Sequence, residues 1–247
     1  MYGKHAVLEV LKKRPDIIET LYIQEENVLD APTEKLVKKA PKVEFLAGRK
    51  LPVGVDKRAV HQGWIAAVNT EAILVPFKTV KKELEVTPET CIVVLGEVQD
   101  PHNVGAIIRS AAAFGATAVL IPKHRQAPLT GTVMKVSTGS VFALPMVAVG
   151  NVNSALRDLK ELGCWVYGLD MEGDANLHQE DFSRPSVFVV GNEGTGVRLK
   201  THELCDSIIS IPMHPRVESL NASVGAAIVL YAFSARHSKM LDASLTS

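Results

Sequence analysis

The sequence predicts an α/β protein with a mostly parallel sheet, preceded by a small α/β module. Three observations carry this expectation. From about residue 92 onward, short apolar runs alternate with segments of helical periodicity, the pattern of strands joined by crossover helices. A charged, proline-bounded stretch near residues 72–88 interrupts that pattern. The 247 residues suffice for one large domain, or for a medium one and a small one.

Taken in order, His5–Lys13 carries Ala6, Val7, Val10 and Leu11 at helical spacing. Thr20–Ile23 reads as a strand, Thr33–Lys39 as a helix, and Lys42–Leu46 and Gly63–Val68 as strands. Residues 1–72 are therefore expected to form the front module. Val75-Pro76-Phe77-Lys78, Lys81-Lys82-Glu83-Leu84-Glu85 and Thr87-Pro88 combine charge with little periodicity, so residues 73–88 are expected to be a linker. Residues 89–247 then offer strands at Ile92–Val98, Ala116–Ile121, Phe142–Val147, Cys164–Leu169, Val187–Val190 and Ile208–Ile211. Helical patterns separate most of them: Val104–Phe114, Gly131–Ser137, Asn153–Leu162, Arg198–Leu204, and a last one from about Leu220 to His237. In such a sheet the helices cover both faces, and ligands bind beyond the carboxyl ends of the strands. The loops after strands are where chemistry is expected.

Composition narrows the function classes. The chain is 47% hydrophobic and 22% charged, as a globular protein with a sizeable core is. Formal net charge is zero, but residues 1–70 hold twelve Lys/Arg against nine Asp/Glu, and residues 89–247 twelve against fifteen. A mildly basic front end permits nucleic-acid contact; a plain solvated surface would look the same. Cys91, Cys164 and Cys205 are scattered, with no C-x-x-C pair, so neither a metal site nor a disulfide framework is expected. Free thiols suit a reducing cytoplasm. No run of about 18 apolar residues and no charged leader followed by an apolar run occurs, so no membrane association is expected.

Three loops hold the candidate residues. The first reads Asp100-Pro101-His102-Asn103-Val104-Gly105, with Arg109 further along the helix between the small residues Ala106 and Ala113. Asp100 or Asn103 can cap that helix. Arg109, with five fixed donors, suits a phosphate or a sugar hydroxyl; a surface arginine on a capped helix is the alternative. The second reads Gly191-Asn192-Glu193-Gly194-Thr195-Gly196. Its glycines let backbone approach a ligand closely, although their spacing is that of neither a phosphate loop nor a dinucleotide fingerprint, and a tight turn is the alternative. Glu193 there needs partners. The third runs from Ile211-Pro212-Met213 through His214-Pro215-Arg216-Val217-Glu218 to Ser219-Leu220-Asn221. Ser219 or Asn221 can cap the following helix, whose small apolar residues read as buried on several faces.

Together, Asn103-x-Gly105 with Arg109, the Gly191-x-Glu193-Gly194-x-Gly196 turn, and Ile211-Pro212-Met213 with Ser219-Leu220-Asn221 resemble the three ordered motifs of the SpoU (TrmH-like) RNA methyltransferases of the SPOUT superfamily. Tyr2-Gly3-x-His5-Ala6-Val7 and Val60-His61-Gln62-Gly63 look like the substrate-binding domain of its RlmB group, whose members methylate a guanosine of the P loop in large-subunit ribosomal RNA. The departures are small: Asn192 stands where close relatives often carry Ala, Ala222 and Gly225 differ from the usual third motif, and residues 214–218 are not the small polar run often seen.

The resemblance implies a knotted (trefoil) methyltransferase domain behind a ribosomal-protein-type (L30e-like) RNA-binding domain. It implies S-adenosyl-L-methionine as cofactor, held at Gly191, Ile211 and Leu220 with Met213 nearby. It implies Arg109 as the residue assisting deprotonation of a ribose 2′-hydroxyl, either as base or by orienting phosphate and stabilising the alkoxide, with Asn103, Glu193, Ser219 and Asn221 positioning the groups. It also implies a homodimer, structured RNA as partner, and no metal. The single glycine of Gly96-Glu97-Val98-Gln99-Asp100 separately disfavours an ordinary Rossmann-type methyltransferase. A transfer-RNA guanosine methyltransferase and a non-catalytic RNA-binding assembly protein are the alternatives.

Overall fold

A computed structural model of the chain describes residues 1–48, 51–52, 55, 60–171, 173, 175–192, 194 and 196–241. The front module opens with α1 (Lys4–Lys13), which buries Ala6, Val7, Val10 and Leu11. Lys12 and Lys13 close its last turn, where cations favour the helix dipole. Strand β1 (Ile18–Gln24) then lies between β2 (Val43–Leu46), parallel, and β3 (Trp64–Val68), antiparallel. Helix α2 (Ala31–Val37) is started by Asp30, whose carboxylate accepts from the Thr33 N–H at 2.9 Å. The two front-end motifs meet: the Gly3 N–H donates to the Trp64 carbonyl at 2.9 Å, and the Lys4 N–H to Gln62 Oε1 at 3.3 Å.

The expected linker holds regular structure. Residues Leu74–Pro76 form β4 and Phe77–Glu83 form α3. Strand β4 is the edge of the large sheet, pairing in parallel with β7 (Met146–Val149). An edge tolerates the proline that ends it. Phe77, Val80 and Leu84 pack on the core, an i, i+3, i+7 stripe hidden among lysines.

The large sheet has eight strands in the order β4-β7-β6-β5-β10-β8-β11-β9, and every pairing is parallel. The remaining strands are β5 (Cys91–Leu95), β6 (Ala118–Pro122), β8 (Trp165–Leu169), β9 (Ala175–Asn176), β10 (Ser186–Val190) and β11 (Ser207–Ser210). The expected strand over Phe142–Val147 begins later, because residues 140–142 form a 3-10 turn after Gly139 at φ +82°. Both faces are covered, so β5 and β10 are buried throughout. Side chains alternate between the two cores: Cys91, Val93 and Leu95 face one, Ile92 and Val94 the other.

One core contains α4 (Pro101–Ala113), α5 (Gly131–Val136) and α8 (Ala222–Arg236), and runs without a break into the front module through Val7, Val10 and Leu11. The other is covered by α3 and α6 (Val152–Glu161), while the short α7 (Leu199–His202) precedes β11. Helix α8 is anchored by Phe233, which meets Phe182 and Phe188 edge-on at 5.7 and 5.6 Å. Its start lies beside α4, so residues 211–221 cross back from β11 over β8 and β10.

Candidate active site

The three motif loops converge at the carboxyl ends of the strands, on the segment that leaves β5. The first motif enters α4 at Asp100, whose carboxylate accepts from the His102 N–H at 2.8 Å. Asp100, not Asn103, is therefore the cap, and Asn103 is buried. Gly105 lets α4 lie close on α5, because a side chain there would meet Val136 Cβ at 2.7 Å. Asn221, not Ser219, caps α8: its Oδ1 accepts from the Ser223 N–H at 2.9 Å and from Ser223 Oγ at 2.6 Å. Asn221 Nδ2 donates to Asn103 Oδ1 at 2.9 Å. First and third motifs, far apart in sequence, are thus joined side chain to side chain.

The second motif is tied to the same segment. Asn192 and Gly196 exchange backbone hydrogen bonds of 2.9 Å in both directions, pinching the turn shut. Asn192 Oδ1 accepts from the Gly194 N–H at 2.9 Å, and its Nδ2 donates to the Glu97 carbonyl at 3.0 Å. Glu97 itself carries φ +69°, a conformation glutamate rarely takes. Its carboxylate meets Arg198 Nη2 at 2.7 Å, just beyond the turn. Glu97 therefore holds both flanks of the glycine turn, and neither it nor Asn192 was singled out for this from sequence. Asn192 was visible only as a departure from the family pattern. At the end of β8, Asp170 brings a further carboxylate: a side chain at Gly196 would meet its Oδ2 at 2.8 Å.

This latch is testable. The ion pair is partly exposed, so it contributes at most about 1 kcal/mol. Glu97→Gln is expected to speed amide exchange at Asn192 and Gly196 about fivefold, the equivalent of about 1 kcal/mol. Exchange at the wild-type rate would remove Glu97 from the turn's support.

The other expected site residues fall as follows. Gly191 is buried at the end of β10, against Gly196. Ile211 and Met213 are half-buried after β11, while Ser219 and Leu220 are exposed before α8. Among the described residues, one backbone–backbone hydrogen bond involves residues 211–220, from the Val217 N–H to the His214 carbonyl at 3.0 Å. The Arg216 N–H also donates to His214 Nδ1, at 3.2 Å, so the segment turns on His214 between the apolar side chains of Ile211, Met213 and Leu220. Glu193 lies outside the described residues. Arg109 is exposed six residues beyond Asn103, about 9 Å along α4. It lies beside a shallow apolar groove of about 460 Å³ lined by Ala106 and Ser110 of α4 and by Val224, Ala227, Ile228 and Tyr231 of α8. Within one chain Arg109 is not part of the cluster formed by the loops.

Thiol chemistry is absent from this site. Cys91 and Cys164 lie at the amino ends of β5 and β8, the opposite end of the strands from the motif loops. Burial pushes the Cys91 thiol up, that of Cys164 to about 11 and that of Cys205 to about 12. All three stay protonated at neutral pH and are poor nucleophiles. Among the described residues no group of His, Cys, Asp and Glu is placed to hold a metal ion, and no helix is long and apolar enough to cross a membrane.

Known proteins share these features. Residues 90–231 match the SpoU rRNA Methylase family, and residues 1–72 match the RNA 2′-O ribose methyltransferase substrate binding family. The chain is 39% identical to the 23S rRNA (guanosine-2′-O-)-methyltransferase RlmB of Neisseria meningitidis, over 93% of this chain and 92% of that one. It is 36% identical to the enzyme of the same name from Pseudomonas putida, over 94% of each. The crystal structure of the SpoU methyltransferase AviRb from Streptomyces viridochromogenes, in complex with the cofactor AdoMet, superposes with a TM-score of 0.78 at 23% identity, covering 96% of this chain and 90% of that one. With all three ordered motifs present and meeting in space, the chain belongs to the SpoU rRNA methylase family.

Proposed function

We propose that this protein transfers a methyl group from S-adenosyl-L-methionine to the ribose 2′-hydroxyl of a guanosine in 23S-type large-subunit rRNA. The observation that carries the reading is the closure of all three motifs on residues 97–103, through Asn192 to Glu97 and Asn221 to Asn103. The relatives quoted above act on rRNA by name, which places this reading ahead of a transfer-RNA enzyme or a non-catalytic assembly protein.

The residues present fit the cofactor. Gly191 leaves room where a side chain would collide with the neighbouring strand of the turn, and Ile211 and Leu220 flank the loop between β11 and α8, Ile211 half-buried and Leu220 exposed. These groups, with Met213 alongside, hold the cofactor, which supplies an electrophilic methyl on a sulfonium. The crossing of residues 211–221 forms the trefoil knot, and the small residues of α8 give the threaded chain room. A ribose hydroxyl must lose its proton as it attacks. Arg109 offers its donor fork to the adjacent phosphate and the developing alkoxide, while Asn103, Glu193, Ser219 and Asn221 fix loops and ribose.

The enzyme acts as a cytoplasmic homodimer. Val224 and Tyr231 are 45% and 57% exposed on the α4–α8 groove, and a second copy on that face brings Arg109 to the partner's cofactor loops. Tyr231→Asp is expected to give a species of 26.7 kDa by light scattering, with methyl transfer lost and the fold retained. A dimer that survives the change would place the interface elsewhere.

Residues 1–72 grip the RNA, residues 73–88 join them to the sheet, and residues 89–247 carry the transfer. On the front module Lys12 and Lys13 pair with Glu9, Arg14 with Asp16 and Lys38 with Glu34. Such surface pairs are worth about 1 kcal/mol or less, so phosphates displace them readily; Arg49 and Lys50 of the same module lie outside the described residues. The deciding experiment maps ribose methylation in rRNA and tRNA from cells lacking the protein, with and without complementation. One 23S guanosine that loses and regains its methyl supports the proposal; an unchanged rRNA map defeats it.

A further inference from the structure

We propose that a second, unpaired nucleotide of the RNA, apart from the one that is methylated, is held in the cavity at the carboxyl ends of β4, β6 and β7. This rests on the RNA-modifying reading above and extends it to a substrate subsite. The cavity encloses about 760 Å³, within the range of small-ligand sites. It lies on the opposite wing of the sheet from Gly191 and Ile211, since β6, β7 and β4 run outward from β5 away from β10.

Its walls suit a base. Pro76, Phe77, Pro122 and Pro128 supply flat apolar faces, the surfaces on which unstacked bases are held in single-stranded RNA. Its rim suits a phosphate. Lys123 and His124 line it, and Arg125 follows in the same turn; all three are exposed. Among the described residues none of the three enters an ion pair. Lys123 and Arg125 thus carry positive charge at the rim with no carboxylate paired to it, unlike Lys12, Lys13, Arg14 and Lys38 of the front module. Glu71 is the carboxylate on the wall, on the side of the front module.

The loop is fixed in place. The Gln126 Nε2–H donates to the Val98 carbonyl at 2.7 Å and the Ala127 N–H donates to the same oxygen at 3.1 Å. Arg125 takes φ +56° to make the turn, a conformation that costs a side-chain-bearing residue energy. Two bonds to one carbonyl therefore anchor the loop to the segment that leads into the first motif. A nucleotide held here is coupled to the loop that carries Asn103. Thr70 and Glu71 close the cavity from the front, so a strand leaving it passes directly onto the front module.

The test uses the full chain and two probes, a short unpaired oligoribonucleotide and the same strand in a duplex, with cofactor affinity measured in parallel by calorimetry. In Lys123→Ala/Arg125→Ala, affinity for the unpaired strand is expected to fall about tenfold or more, and the log–log salt slope by roughly 1.4 for two lost phosphate contacts. Cofactor affinity should not move. Phe77→Leu, which keeps an apolar side chain but removes the ring, is expected to cost about tenfold at all salt concentrations with no change of slope. Wild-type affinity and slope in the double variant overturn the proposal, as does a duplex that binds as well as the unpaired strand. A protein that binds the unpaired strand through these residues yet ignores the cofactor would instead defeat the methyltransferase reading and leave the subsite standing.

Discussion

Arg109→Ala is expected to lower the rate of methyl transfer by about a hundredfold to a thousandfold, the cost of removing one preorganised donor from a developing oxyanion, while cofactor affinity stays nearly unchanged. Arg109 projects from α4 into solvent, and among the described residues no hydrogen bond or ion pair engages its guanidinium. An arginine kept for stability would be bonded to its surroundings. This one leaves its donors free beside the apolar groove between α4 and α8. Because the side chain is exposed, truncating it should change folding stability by no more than about 0.5 kcal/mol. Single-turnover rates at saturating cofactor and RNA read the effect directly. Arg109→Lys separates charge from geometry: it keeps the cation and loses the planar fork, and should recover only a small part of the rate. A truncated variant that retains most of its rate would remove Arg109 from the chemistry.

The inner strands of the sheet were legible in the sequence because they are covered on both faces. Ile92-Val93-Val94-Leu95 and Val187-Phe188-Val189-Val190 leave a continuous apolar run that no surface element imitates. The elements that escaped are those made by their neighbours. Strand β9 is two residues long and exists by pairing with β11. Helix α3 carries its apolar stripe among Lys78, Lys81 and Lys82, whose charge pointed to a linker. At the site, glycine and asparagine drew attention to the right loops, since those residues serve tight turns and helix caps. The choice between Asp100 and Asn103, or between Ser219 and Asn221, needed geometry. So did Glu97: nothing in a single sequence reveals that a glutamate sits at φ +69° facing an arginine about a hundred residues away.

The glycine-rich turn offers the second large effect, and here the structure divides residues that the motif treats alike. A side chain at Gly191 would lie 2.3 Å from the Gly196 carbonyl carbon, 2.4 Å from its oxygen and 2.5 Å from the Val197 nitrogen. These are backbone atoms and cannot rotate away. Gly191→Ala must push the two arms of the turn apart and break the reciprocal bonds between Asn192 and Gly196. At about 1 kcal/mol each, their loss corresponds to roughly a thirtyfold fall in cofactor affinity, measured by calorimetry. The ladder of β10 with β5 and β8 ends at Val190, so the fold should persist with a modest fall in melting temperature. Gly194→Ala is the control within the same turn. Its nearest neighbour would be Asn192 Oδ1 at 3.6 Å, ordinary contact, and its φ is not left-handed. Affinity should therefore stay within about twofold of wild type. Equal losses from both substitutions would mean that the turn responds to any added side chain through its flexibility, and that the close approach at Gly191 does not hold the cofactor site in shape.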